Sequence, residues 1–189
     1  ARAAEQLGPT YPIAEPSIID EILRVLKQKE KSGELAKLQR EAAERGRRSA
    51  EEPRPVDGLT RTAKARSFYF DPTYTQPTAV YDHEGRVIVP AGAKVNPLEY
   101  MTMSSRMLFF DGRDAGQVKV AQSLIAKYRD GLRVVMTAGR PIEMMRRQKF
   151  RIYFDQNGTL VHRFGITHVP SLVAQEGYRM RIDELEVPE

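Results

Sequence analysis

The apolar positions of the chain fall into three regimes. In the first, Ile18, Ile19, Ile22, Leu23, Val25 and Leu26 recur at helical spacing behind Ser17, a residue suited to an N-cap, with Asp20 three places on. This spacing predicts an amphipathic helix. From Lys27 to Glu34 nothing apolar occurs and Gly33 interrupts, before Leu35, Leu38 and Ala42 carry a sparse stripe to about Glu44. A helix this polar has little to bury on its own domain. It is expected to be an exposed arm or one half of an interface that a partner completes. Ahead of it, residues 9–16 hold three prolines and predict an extended lead-in.

The second regime is one of short strands. Glu51 to Gly58 reads as a linker by composition, and a domain boundary is expected there. Strand signals continue at Ser67–Phe70, Ala79–Tyr81 and Arg86–Val89, the last two joined by Asp82-His-Glu-Gly85, and then at Ala93–Val95. The apolar set is too small to stand alone, so this small β module is expected to pack on the C-terminal part of the chain.

From Met107 the pattern alternates strand and helix. Met107–Phe110 reads as a buried strand. Asp114 caps a helix carrying Val118, Ala121, Leu124, Ile125 and Tyr128 on one face, and Leu132–Met136 is the next strand. Pro141 opens a short helix to Gln148, Arg151–Phe154 is a third strand, and Ser171–Ala174 with Tyr178–Arg181 forms a closing hairpin. A β-α-β unit with such a hairpin predicts an α/β fold with a mixed sheet. The expected division is residues 1–52 as lead-in and helical arm, 53–103 as linker and β module, and 104–189 as the α/β domain.

Composition narrows the function. The 189 residues are 41% hydrophobic, enough for a core, and no apolar run approaches the roughly 20 residues of a membrane span. The start, Ala1-Arg2-Ala3-Ala4-Glu5, lacks the apolar segment of a signal peptide, as expected of a cytosolic chain or of one shown after cleavage. There is no cysteine, which excludes thiol chemistry and leaves His and carboxylates as metal ligands. His83, His162 and His168 stand apart, without HxxxH or HExxH spacing, so no metal is expected. No Walker-type loop, GxGxxG or GxSxG occurs, and no cofactor is expected. The net charge of +5 includes a cluster without acids, Arg146, Arg147, Lys149 and Arg151. With few interleaved aromatics it reads as solvated surface, and a DNA-binding accessory role is the last of three readings.

The stretch Arg163-Phe-Gly-Ile-Thr-His-Val-Pro-Ser-Leu-Val173 resembles the segment of thioredoxin-like proteins in which an aromatic-Gly-Ile element leads to a cis-proline before a core strand. Val169-Pro170 takes that place, and the resemblance implies a cis bond at Pro170 and a thioredoxin-like domain. Asp111-Gly-Arg-Asp114 then stands where the redox members carry CxxC. Asp111 and Asp114 read as turn and cap residues; an enzyme of non-thiol chemistry using Asp111, Asp114 and His168 is the alternative.

Taken in order, Pro12-Ile-Ala-Glu-Pro16, Pro53-Arg-Pro-Val-Asp-Gly-Leu-Thr60, Asp82 to Leu98 with Gly85 and Ala91-Gly92, Leu108-Phe-Phe-Asp-Gly112, and Tyr153-Phe-Asp155 leading to Phe164–Pro170 resemble the TraW family of F-type conjugative transfer systems. The resemblance spans nearly the whole chain. It implies a periplasmic protein whose signal peptide is absent here, needed for pilus assembly by a type IV secretion system. It also implies a TrbC-like pilus-assembly protein as partner, with other periplasmic transfer proteins as further candidates; with no thiol and no catalytic motif, no enzyme activity is expected. Ile18, Ile19, Ile22, Leu23, Val25 and Leu26 are the candidate partner-binding helix.

Overall fold

A computed structural model describes residues 17–187, so the proline-rich lead-in at 9–16 lies outside the described residues. The chain divides into two compact units, residues 1–47 and 48–189. The helical pattern of the first unit gives α1 (Ile18–Lys31), followed by α2 (Glu34–Glu51). Ser17 takes the cap position, but its hydroxyl makes no capping bond; the Glu21 amide donates to the Ser17 carbonyl at 3.1 Å instead. Asp20 and Glu21 in the first turn and Lys29 and Lys31 in the last complement the helix dipole. Gly33, at φ 74°, separates the helices in a backbone conformation that a side chain would oppose. The second helix runs past the expected Glu44 to Glu51, because no proline intervenes before Pro53 and Glu41 pairs with both Lys37 and Arg45 one turn away. No described residue of either helix is buried.

The second unit begins with β1 (Thr60–Arg61), β2 (Arg66–Phe70), β3 (Tyr74–Thr75), β4 (Val80–Tyr81), β5 (Val87–Val89) and β6 (Lys94–Val95). Then come β7 (Arg106–Asp111), α3 (Ala115–Tyr128), β8 (Leu132–Ala138), α4 (Pro141–Gln148), β9 (Ile152–Phe154), α5 (Thr159–Phe164), β10 (His168–Val169), β11 (Ser171–Glu176) and β12 (Arg179–Glu184). The mixed α/β architecture expected from the alternation is present. One six-stranded sheet has the order β2-β12-β11-β7-β8-β9, with β7, β8 and β9 parallel and the other neighbours antiparallel.

Period-2 alternation sorts the core onto the two faces of this sheet. Phe109 on β7 joins Val135, Val161, Ile166, Val169, Val173 and Ile182 on one face. Its neighbours Leu108 and Phe110 join Ala121, Val134, Met136, Ile152 and Leu172 on the other, beneath α3 and α4. The Phe164 ring of α5 meets Phe70 and Phe109 edge to face, at 5.4 and 6.1 Å between centroids.

The segment expected as a linker is tied to the sheet through Val56 and the residues that follow it. Val56 enters the core and its amide donates to the Thr137 carbonyl at 2.8 Å; Thr60 and Thr62 donate to the Thr167 and Val169 carbonyls, adding β1 in parallel to β10. The strand at Ser67–Phe70 does not belong to the small β module. As β2 it forms an edge of the main sheet, because Phe68 and Phe70 alternate into the core that the hairpin β11–β12 leaves open. What remains of the module, β3 with β6 and β4 with β5, is exposed on nearly every residue. Buried Asn96 fastens it, donating to the Tyr178 carbonyl at 2.9 Å and to Thr73 at 3.2 Å while accepting from the Leu98 amide at 2.9 Å.

Three strands are clamped by one carboxylate. Glu184 of β12, only 2% exposed, accepts two hydrogen bonds of 2.9 Å from Arg66 of β2 and lies 3.2 Å from Nδ1 of His168 in β10. Burial opposes its charge, yet the hydrogen bonds from Arg66 and His168 hold its carboxyl below the usual range.

Two outcomes are expected from this architecture. Phe110→Ala should lower the unfolding free energy by about 3–5 kcal/mol in urea titration, whereas Tyr81→Ala, on the exposed β4, should change it by no more than about 0.5 kcal/mol. Glu184→Gln should cost about 1.5–3 kcal/mol at neutral pH, towards the lower end because Arg66 is half exposed and screened. Since the folded carboxyl titrates below 4.5, its contribution is full above that pH and is lost as the pH falls through the lower folded value. The deficit of the variant should therefore shrink in acid; a deficit constant down to about pH 3 would contradict the clamp.

Candidate functional site

The loop between β7 and α3 carries Asp111 and Asp114, two of the three residues weighed for non-thiol chemistry. Asp111 accepts from the Arg113 amide at 2.8 Å and pairs with the same residue's guanidinium at 2.7 Å, which makes a tight turn. Asp114 caps α3: its Oδ1 accepts from the Gly116 amide at 2.8 Å and the Gln117 amide at 3.3 Å. Burial works against the Asp114 charge, but the bonds from Gln117 and Gly116, with Arg61 3.6 Å away, hold its carboxyl below the usual range. The buried Gln117 side chain ties the loop together, donating to Asp114 and accepting from the Asp111 amide. A carboxylate so engaged is a structural group, not a free base.

The Val169–Pro170 bond is cis. Around it, β1 lies along β10, so the Val169 carbonyl is already occupied by the chain's own Thr62 amide at 2.9 Å. Thr62 is buried, and its hydroxyl has no partner among the described residues. His168 faces Glu184 and Thr167; its bonds go to neither aspartate. Asp111, Asp114 and His168 thus each serve a separate set of partners and form no common catalytic cluster. His83 sits exposed in the β4–β5 turn beside Glu84, and His162 is exposed on α5. Among the described residues no group of three or more His, Cys, Asp or Glu could hold a metal ion.

The sequence does not announce Glu184 as a key group. The one available signal is its phase, since Met180, Ile182 and Glu184 alternate onto the buried face of β12. The basic cluster changes too. Glu143, one turn earlier on α4, pairs with Arg147 at 3.3 Å and Arg140 at 2.9 Å, so the run is not free of acids in space.

The largest unpartnered apolar face in the first unit is on α1. Ile18 and Ile19 are 75% and 68% exposed, and Ile22, Leu23, Val25 and Leu26 are between 42% and 53% exposed. On a helical wheel these six fall on one broad side, opposite Arg24, Lys27 and Lys31. A face of this size in water marks an interaction surface more readily than a solvated one.

Comparison with known proteins is consistent with the order of motifs. No family model matches the chain, and no solved structure matches it. The chain is 33% identical over 167 residues to Protein TraW of Escherichia coli (strain K12), a match covering 88% of this chain and 79% of that protein. Identity at this level over most of both chains settles the grouping: the chain belongs to the TraW family.

Proposed function

We propose that this chain is an assembly factor of an F-type conjugative transfer system, acting in the periplasm to build the pilus of a type IV secretion system. It works by binding rather than by catalysis. The observation that carries this reading is the face of α1, where Ile18, Ile19, Ile22, Leu23, Val25 and Leu26 are all at least 42% exposed. Aliphatic surface of this kind gains about 25 cal/mol per Å² when covered, and helix-in-groove recognition is the usual mode for such a stripe. A TrbC-like pilus-assembly protein is the partner proposed for it.

The second unit supports the same reading. Its mixed sheet is compatible with a thioredoxin-like domain, while the cysteine-free sequence gives such a domain no nucleophile for disulfide exchange. Asp111 and Asp114 are consumed by turn and cap bonds. A frame kept without its chemistry suits a scaffold.

The test is co-purification of the chain with a TrbC-like protein from cells that express both, with pilus formation scored alongside. Ile22→Asp with Leu26→Asp should reduce recovery of the partner by at least roughly tenfold and abolish pili. Its thermal unfolding should stay unchanged, because neither residue is buried in the chain itself. Full recovery and normal pili with the double variant would rule out α1 as the partner-binding helix.

A further inference from the structure

A second surface, independent of the helical arm, lies at the opposite edge of the sheet from β2. Among the described residues strand β9 is outermost, paired with β8 on one side alone. The Asp155 amide donates to the Met136 carbonyl at 3.0 Å, which fixes the phase of this parallel ladder. Tyr153, two residues earlier, turns its amide and carbonyl to β8, so those of Ile152 and Phe154 point outward along the open edge.

Beside this edge is a cleft of about 400 Å³ in which cations gather. Arg133, Lys149 and Arg151 line it against one carboxylate, Asp130. Among the described residues no carboxylate lies within ion-pair distance of those three cations. Arg133 donates to the Tyr153 oxygen at 3.5 Å and to Ser105 at 3.0 Å, and Arg151 lines the same cleft. The Arg151 and Arg133 guanidiniums beside the Tyr153 phenol hold it below its ordinary pKa. The two turns that border the cleft each hold a cation at positive φ, Arg129 at 45° and Lys149 at 51°, where glycine or asparagine is the less strained choice.

We infer that the open edge of β9, with Arg133, Lys149 and Arg151 beside it, docks an acidic extended segment of a partner protein, which pairs with β9 as an additional strand. Charge complementarity selects the acidic side chains, because an incoming carboxylate finds two arginine forks that Asp130 does not pair. The outward row of amides and carbonyls selects a polypeptide over a nucleic acid or a lipid headgroup, since a strand's backbone matches it residue by residue.

The test uses the full chain and a fluorescent peptide of alternating glutamate and threonine, read by anisotropy at low salt. Saturable binding is expected. Arg133→Gln with Arg151→Gln should weaken it by at least roughly tenfold, while Arg163→Gln, a cation elsewhere on the surface, should leave it unchanged. Arg133→Lys with Arg151→Lys keeps the charge but removes the forks, and should weaken binding by about threefold or more even if the neutral pair fails to fold. Hydrogen exchange at the Ile152 and Phe154 amides should slow when the peptide binds. The inference is overturned by absence of binding, by equal loss in the Arg163 variant, by binding without protection of those amides, or by tighter binding of a single-stranded oligonucleotide or anionic vesicles at the same arginines.

Discussion

Strand β7 is buried on both faces, and much of the second unit depends on that. Leu108, Phe109 and Phe110 are each no more than 1% exposed, with the middle ring turned to one face and its neighbours to the other. A strand with this pattern cannot lie at an edge or face water. It requires a layer above and a layer below, and the chain supplies α3 and α4 for one and α5 with the approach to Pro170 for the other. The loop at its end, Asp111 to Asp114, inherits its position from the same constraint. So does the strand β11, whose Ser171 pairs with Phe109 immediately after the cis bond.

That arrangement brings a loop, a helix start and the Val169–Pro170 bond to one end of the sheet, and the residues there are spent on structure. The aspartates close a turn and cap a helix. The strand β1 covers the Val169 carbonyl, and a buried carboxylate, Glu184, locks β2, β10 and β12 together. Apolar and cationic surface is left exposed elsewhere, on α1 and beside β9.

Much of this is legible in the residues. The amphipathic α1, the Asp114 cap, the β-α-β alternation and the closing hairpin are local patterns, set by spacing and by capping chemistry that each segment carries itself. Long-range pairing is not legible. The place of β2 at the sheet edge depends on the open side of β12, and the short β1 depends on the Thr167 and Val169 carbonyls more than 100 residues away. Helix α5 escapes a pattern search because six residues, Thr159–Phe164, are too short for a periodic signal and are started by Asp155, which accepts from the Leu160 and Val161 amides. The clamp at Glu184 is hidden for a different reason: a charge on the buried phase of a strand reads as an error in the pattern until its partners are seen.

The central claim is that α1 of this TraW-family chain is covered by another protein while the transfer apparatus assembles. Its most direct test is a photo-crosslinking amino acid placed at Ile22, irradiated in cells that are forming pili. Such a probe should capture one discrete protein of the transfer system, and the same probe at exposed Arg24, on the opposite side of the helix, should capture little. Equal labelling at both positions, or none at Ile22 in piliated cells, would contradict the account.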